Sequence, residues 1–399
     1  FAIVKAGGIV VATMPMLKGK EMVVICDKAE VRVALGDETL RGELEVAMDL
    51  SPPLTSLLCF GGGELENRMK AKSSHFNAVE TAADDVCLIA FTSGTTGVPK
   101  GTMHFHRDVM SICNSFCKEV LRPHSEDIFI GSPPLAFTFG LGALLLFPMV
   151  SRAKTVLLEK PTPGNLAAAI ETYGATTLLT APTAYRHILS HFEDYQLSSL
   201  QKCVSAGEPL PIATFDAWQQ ASGIKLIDGI GATEMLHIFI SACGDDIRPG
   251  STGKPIPGFE AKIIDENGQE VPVGKIGRLA VRGPTGCRYL GDDRQAKYVL
   301  DGWNITGDAY LVDEDGYYWF QSRADDMIIS SGYNIAGPEV ENALLLHPAV
   351  EEAAVVAKPD ADRGSIVKAY IVLCDESKPG NDDLITALQG HVKSTIAPY

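Results

Sequence analysis

This sequence has no C-x-x-C pair, no apolar run of membrane-spanning length, no excess of positive charge and no internal repeat or low-complexity segment. Each absence excludes something. The nine cysteines are scattered and odd in number, which argues against a zinc ribbon or a disulfide framework and for free thiols in a reducing cytoplasm. Cys113 and Cys117 stand four apart, a spacing that suits one face of a helix. The longest apolar stretch, 141–150, is too short to cross a bilayer and contains Pro148. Lys plus Arg number 34 against 50 Asp plus Glu, a net charge of −16. Such a chain repels nucleic acid and anionic lipid, so neither is an expected partner, and any anionic ligand must be held by a local site. The sequence does not fix an oligomeric state, and a homodimer is compatible with it.

What is present is ordinary globular material: 46% hydrophobic and 21% charged residues over 399 positions, enough for two or more domains. Apolar runs at 86–91, 155–158, 176–180, 203–206 and 225–227 are each followed by small or polar residues and then a helical pattern. Run 86–91 (VCLIAF) reads as a buried parallel strand. The alternation predicts an α/β fold with helices on both faces of a sheet, and ligands gather where such strands end in loops. From about 250 the texture changes to short strands (261–265, 277–282, 317–320) divided by Gly turns, which predicts a small β-rich subdomain over about 250–324. After 324 the order is strand, helix (338–346), strand (352–356), strand (367–373) and helix, a compact α+β unit. The expected organisation is therefore a large N-terminal domain, 1–324, and a smaller C-terminal domain, 325–399. Both ends read as cut. The chain opens at Phe1 within an apolar segment without an initiator Met or signal peptide, and stops at Tyr399 just after the helical stretch 382–396.

The strongest local signal is TSGTTGVPKG at 92–101. It follows an apolar strand. Its glycines open conformations closed to other residues, so that successive backbone N–H groups can converge on an anion. The hydroxyls of Thr92, Ser93, Thr95 and Thr96 add donors around Gly94 and Gly97, and Lys100 adds a charge. These parts suit a polyphosphate. The spacing is not that of a Walker loop, because Pro99-Lys100-Gly101 stands where Gly-Lys-Ser/Thr is required.

The run resembles the phosphate-binding motif of the adenylate-forming superfamily, which holds acyl-CoA synthetases, peptide-synthetase adenylation domains and beetle luciferases. Four further motifs occur in the family's order: SAGEP at 205–209, GATE at 231–234, TGD at 306–308 and SRADDMIISSGYNI at 322–335. The resemblance implies ATP and coenzyme A as substrates and Mg²⁺ as cofactor. It places Thr233 near the α-phosphate and Glu234 on the metal, with Lys100 as the third catalytic group. Gly207, Glu208, Pro209, Asp228, Gly229 and Ile230 would form the adenine slot; many relatives have Tyr where Ile230 stands. Asp308 and Arg323 would hold the ribose. Asp325 falls at the family's hinge, about which the small domain rotates between half-reactions. Ser331, Gly332 and Tyr333 would border the pantetheine channel.

The sequences GTMHFHRD (101–108), PLAFTFGLG (134–142) and GATEMLHI (231–238) resemble the benzoate and 2-aminobenzoate CoA ligases. Carried over, Phe137, Thr138, Phe139, Gly231, His237 and Ile238 would line the acyl pocket. No anion stands near Phe137 to hold an α-ammonium group, so an amino acid is disfavoured, and the two aromatics suit a flat apolar ring. Relatives specific for benzoate tend to have Ala at the Thr138 position, so its hydroxyl could bond an ortho amino group. The paired His104 and His106 suggest a metal, but no carboxylate or cysteine cluster accompanies them and a structural role is expected. The family's adenylation lysine lies in a Pro-Lys-x-x-Gly-Lys motif that does not occur in this sequence, and Lys393 is not in that context, so slow adenylate formation by this polypeptide is expected. The competing readings are a non-catalytic nucleotide-binding relative and a medium-chain fatty acyl-CoA synthetase.

Overall fold

The computed structural model describes residues 1–92, 99–323, 326–330, 333–360, 364–374 and 380–396. Asp325, expected at the hinge, and Ser93, Gly94, Thr95, Thr96, Gly97, Ser331 and Gly332 lie outside these.

A seven-stranded sheet forms the centre. Five strands run parallel, in the spatial order Ile227–Gly231, Lys202–Ala206, Thr177–Thr180, Ile128–Gly131 and Lys154–Val156. Ile238–Ser241 and then Lys254–Pro255 extend it antiparallel. The crossover helices carry their own start and stop signals. Pro163–Tyr173 begins on Thr162, whose hydroxyl accepts the Asn165 N–H, has Pro at its first position, and ends at Gly174 with φ 61°. Ile212–Ser222 stops in the same way at Gly223. Trp218, Tyr185 and Ile170 are wholly buried against one face of the sheet. Phe116, Phe147 and Phe239 fill the other. The helices on both faces are thus as the alternation predicted.

Run 86–91 is corrected in one respect. Val86–Thr92 is buried, but it pairs antiparallel with Lys100–Phe105, with Thr92 opposite Lys100. An unbroken apolar run reports burial on both faces and says nothing of the neighbour's direction. The run expected to bind phosphate therefore falls in sequence between two antiparallel partners.

The β-rich subdomain is a five-stranded sheet made of Glu260–Ile264, Gly277–Arg282, Val299–Leu300, Trp303–Val312 and Tyr318–Arg323. Its turns follow the Gly signals. Asp265 accepts the N–H groups of Asn267 (2.9 Å) and Gln269 (2.8 Å), with Gly268 at φ 80° between them. A separate α+β unit follows. Helix Gly337–Leu345 and helix Asp382–Thr395, the latter capped by Asn381, accompany the antiparallel pair Val350–Asp360 and Gly364–Leu373 around Val340, Leu344, Val350 and Leu388. A further small unit near the start pairs Val33–Asp37 with Ser56–Phe60 in parallel. Among the described residues no helix is long and apolar enough to cross a membrane.

Candidate active site

A cleft of about 1160 Å³ lies where the central strands end and the small α+β unit begins. On the sheet side it is lined by Gly207, Glu208 and Pro209 after strand Lys202–Ala206, by Asp228, Gly229, Ile230 and Gly231 of the next strand, and by Asp308 and Arg323 of the β-rich sheet. The facing wall is the start of helix Gly337–Leu345 and residues Val355, Val356 and Ala357. Nine residues expected at the nucleotide and acyl sites, from four separate stretches of sequence, thus share one wall. Gly207 has φ 94°, and a Cβ there would meet nothing within 4 Å. Its backbone conformation, not lack of space, calls for glycine. Glu208 accepts from the Thr183 hydroxyl at 2.6 Å, which fixes the loop.

Asp308 reaches the cleft through an irregularity in its strand. Gly307 has φ 79°, and the register against Gly277–Arg282 slips opposite residues 306–308. Such a bulge re-aims a side chain next to a functional site. Asp308 is 7% exposed, and Arg323 Nη1 donates to its Oδ1 at 2.7 Å. Burial raises the Asp308 pKa while Arg323 opposes the rise. Asp228, half-buried on the cleft wall, has its carboxyl pushed up to about 7 by its surroundings.

A second cluster gathers at the mouth of the phosphate loop. Glu234, 7% exposed, sits on the single turn Thr233–Met235 that follows strand Ile227–Gly231. The next residue, Leu236, is held at φ 68°, a costly conformation for a branched side chain. Lys100 Nζ lies 3.5 Å from Glu234 Oε1 and 3.0 Å from Tyr289 Oη, and Tyr289 Oη donates to the same Glu234 oxygen at 2.5 Å. The Lys100 ammonium stands over the rings of Tyr289 (5.1 Å) and Tyr298 (5.9 Å). Thr92 Oγ1 and Tyr298 Oη are buried without a hydrogen-bond partner among the described residues. A half-buried cation and two unused hydroxyls nearby are the kind of donor set an anion requires.

On the acyl side, His237 is 2% exposed, and both ring nitrogens lack a partner among the described residues. The rings of Phe147 (4.7 Å), Phe116 (5.2 Å) and Phe139 (5.7 Å) surround it. Burial pushes the imidazole down to about 3, so it is neutral at pH 7. A Cβ on Gly142 would stand 2.4 Å from the His237 ring, and one on Gly231 would stand 2.9 Å from the His237 carbonyl. Ile238 is buried against Gly229. Thr138 is buried at the start of the short helix Thr138–Leu141, whereas Phe137 beside it is 49% exposed. Two π-helical segments, Cys113–Leu121 and Gly142–Leu146, frame this cage, a distortion frequent at functional sites. Tyr333 pairs through its backbone with Ser330.

Tyr289 and Tyr298 escaped the sequence reading. Tyr289 meets Lys100 across 189 positions, and no local pattern marks it. His104 is buried, with Asp108 3.8 Å from its Nδ1. Among the described residues no group of three or more His, Cys, Asp and Glu could hold a metal unaided.

These features match known proteins throughout. The family profile "AMP-binding enzyme" covers residues 1–289, and "AMP-binding enzyme C-terminal domain" covers 339–399. A benzoate–CoA ligase of Thauera aromatica is 35% identical over 99% of this chain and 77% of its own length. The mitochondrial acyl-coenzyme A synthetase ACSM3 of Mus musculus is 33% identical over 100% and 72%. Among solved structures, the anthranilate CoA ligase AuaEII in complex with anthranoyl-AMP superposes with a TM-score of 0.95 at 36% identity, over 100% of this chain and 78% of that one. A benzoate CoA ligase from Burkholderia xenovorans LB400 gives 0.89 at 28%, over 99% and 80%. On the two family profiles, these relatives and the shared fold, the chain belongs to the AMP-binding enzymes of the adenylate-forming superfamily, as an acid–thiol ligase.

Proposed function

We propose that this protein activates an aromatic carboxylate, 2-aminobenzoate or benzoate, as its acyl adenylate and passes the acyl group to coenzyme A. The observation that carries the reading is the cage of Phe116, Phe139 and Phe147 around a neutral His237. Aromatic rings gathered around one polar ring suit an aromatic acid better than a flexible chain. The relatives named as benzoate and anthranilate ligases support it.

In this reading the carboxylate oxygen attacks the α-phosphorus and pyrophosphate leaves. Lys100 and the loop 92–97 hold the β- and γ-phosphates, and Thr233 contacts the α-phosphate. Asp308 accepts from the ribose hydroxyls while Arg323 offsets part of the cost of burying that carboxylate. The adenine lies against Gly207–Pro209 and Asp228–Ile230. Glu234 fits a magnesium site in which one carboxylate is completed by phosphate oxygens and water. Bound there, Mg²⁺ would neutralise developing phosphate charge. The small domain, 325–399, turns about Asp325 and brings the segment Ser331–Tyr333 to the pantetheine channel.

The test is mass spectrometry of acyl-CoA formed from benzoate, 2-aminobenzoate, hydroxybenzoates and medium-chain fatty acids, supplied both as acids with ATP and Mg²⁺ and as ready-made adenylates. Aryl thioesters are expected. Products from the fatty acids alone would overturn the aromatic assignment. Thr138→Ala should lower the preference for 2-aminobenzoate over benzoate about fivefold, the worth of one hydrogen bond. An unchanged ratio removes Thr138 from the recognition.

A further inference from the structure

The Tyr289 hydroxyl is the hub that joins the two charged groups at the phosphate loop. A phenol has one proton and two lone pairs. Here the proton goes to Glu234 Oε1 at 2.5 Å, and a lone pair receives Lys100 Nζ at 3.0 Å. The direct Lys100–Glu234 approach, 3.5 Å, is long by comparison. Tyr289 is itself held rigidly. Leu290 N–H donates to the Gly101 carbonyl and Met103 N–H to that of Arg288, both at 2.8 Å, so residues 288–290 lie along the edge of the Lys100 strand. Tyr289 N–H donates to Gln295 Oε1 at 2.7 Å. Tyr298 packs edge-on against its ring at 5.7 Å.

We infer that Tyr289 is a positioning residue for the metal–triphosphate complex: it fixes one oxygen of Glu234, presents the other to the cation, and parks Lys100 until phosphate arrives. The inference rests on the reading of Glu234 as the magnesium carboxylate. Its physical basis is competition. Without the phenol, Glu234 and Lys100 would collapse into a direct ion pair, and a cation would have to break it before binding. With the phenol between them, Lys100 can leave for the triphosphate while Glu234 stays oriented by the Tyr289 proton. Carboxylates that bind metals depend in this way on the groups that hydrogen-bond them.

The test uses Tyr289→Phe, which keeps the ring under Lys100 and against Tyr298 and removes only the hydroxyl. ATP binding is followed by calorimetry as Mg²⁺ is titrated, beside AMP binding in EDTA and the melting temperature. Tyr289→Phe should need about tenfold more Mg²⁺ for the same ATP affinity, with AMP affinity within about twofold of the parent. An unchanged Mg²⁺ requirement would overturn the inference. A fall in AMP affinity and melting temperature with no separate Mg²⁺ effect would do so too, because it marks a purely structural role. Glu234→Gln separates the two layers. If it shifts the Mg²⁺ requirement and Tyr289→Phe does not, only the positioning role fails. If Glu234→Gln has no effect, the metal reading fails and this inference falls with it.

Discussion

Asp308 carries more of the account than any other side chain. It stands on a bulge in an otherwise regular strand, buried, with one oxygen engaged by Arg323. Removing it would take away the only carboxylate assigned to the ribose and leave Arg323 without its partner. Asp308→Ala should weaken AMP binding at least about tenfold by calorimetry, the worth of a charge-assisted hydrogen bond; affinity within twofold of the parent would detach the bulge from the nucleotide. Asp228 makes a prediction about stability. Its carboxyl is pushed up to about 7 in the folded chain, against about 3.9 when unfolded. Between those values the folded state keeps a proton the unfolded state has released, so this group's contribution declines as pH rises from about 4 to about 7 and stays low above. In the ligand-free protein Asp228→Asn should therefore raise the melting temperature at pH 8 and leave it near the parent value at pH 4. An equal effect at both would show that the Asp228 environment is misread. At this scale the Thr-Gly-Asp run was legible beforehand, and its Gly307 does take a left-handed backbone that places Asp308 on the cleft. Tyr289 and Tyr298 were not, because their role exists only once two distant segments pack side by side.

At the scale of elements, the strand pair Ile227–Gly231 and Ile238–Ser241 ties the nucleotide wall to the acyl cage. They meet at Gly231, which pairs with Ile238 and whose added Cβ would lie 2.9 Å from the His237 backbone. That clash is with main chain, so it cannot be relieved by a side-chain rotation. Gly231→Ala should push the strands apart, cost on the order of 1–3 kcal/mol in denaturant unfolding, and blunt discrimination among aromatic acids. Unchanged stability and selectivity would mean that the two strands tolerate the displacement. The alternation of apolar runs and helical patterns made the parallel sheet readable, since each crossover helix carries its own cap and glycine stop. The direction of strand Val86–Thr92 was not readable, because burial on both faces produces the same apolar run whichever way the neighbour points. Nor was the length of strand Trp303–Val312: its Gly307 imitates a turn, and the ladder on either side overrides it.

For the molecule as a whole, the cleft has two walls from separate folding units, bridged at its rim by Arg186 and Glu352 at 3.1 Å. A half-exposed pair of this kind contributes about 0–1 kcal/mol, compatible with the proposed turning of the small domain between half-reactions. Arg186→Ala should accordingly leave the melting temperature almost unchanged, and a loss of several degrees would mean that the units are clamped together. The two-unit organisation was visible as a change of texture after about residue 324. The reach of the small unit's helix Gly337–Leu345 and strand Val350–Asp360 into the cleft was not, since it depends on how the units face each other. The central claim is that one continuous surface holds the AMP moiety at Asp308 and an aromatic acyl group at His237. Calorimetry with non-hydrolysable sulfamoyl analogues of 2-aminobenzoyl-AMP and octanoyl-AMP, beside AMP itself, tests it most directly. The account predicts that the aryl analogue binds at least about tenfold more tightly than either of the others and that Asp308→Ala abolishes the difference. Equal affinity for aryl analogue and AMP, or tighter binding of the octanoyl analogue, would contradict it.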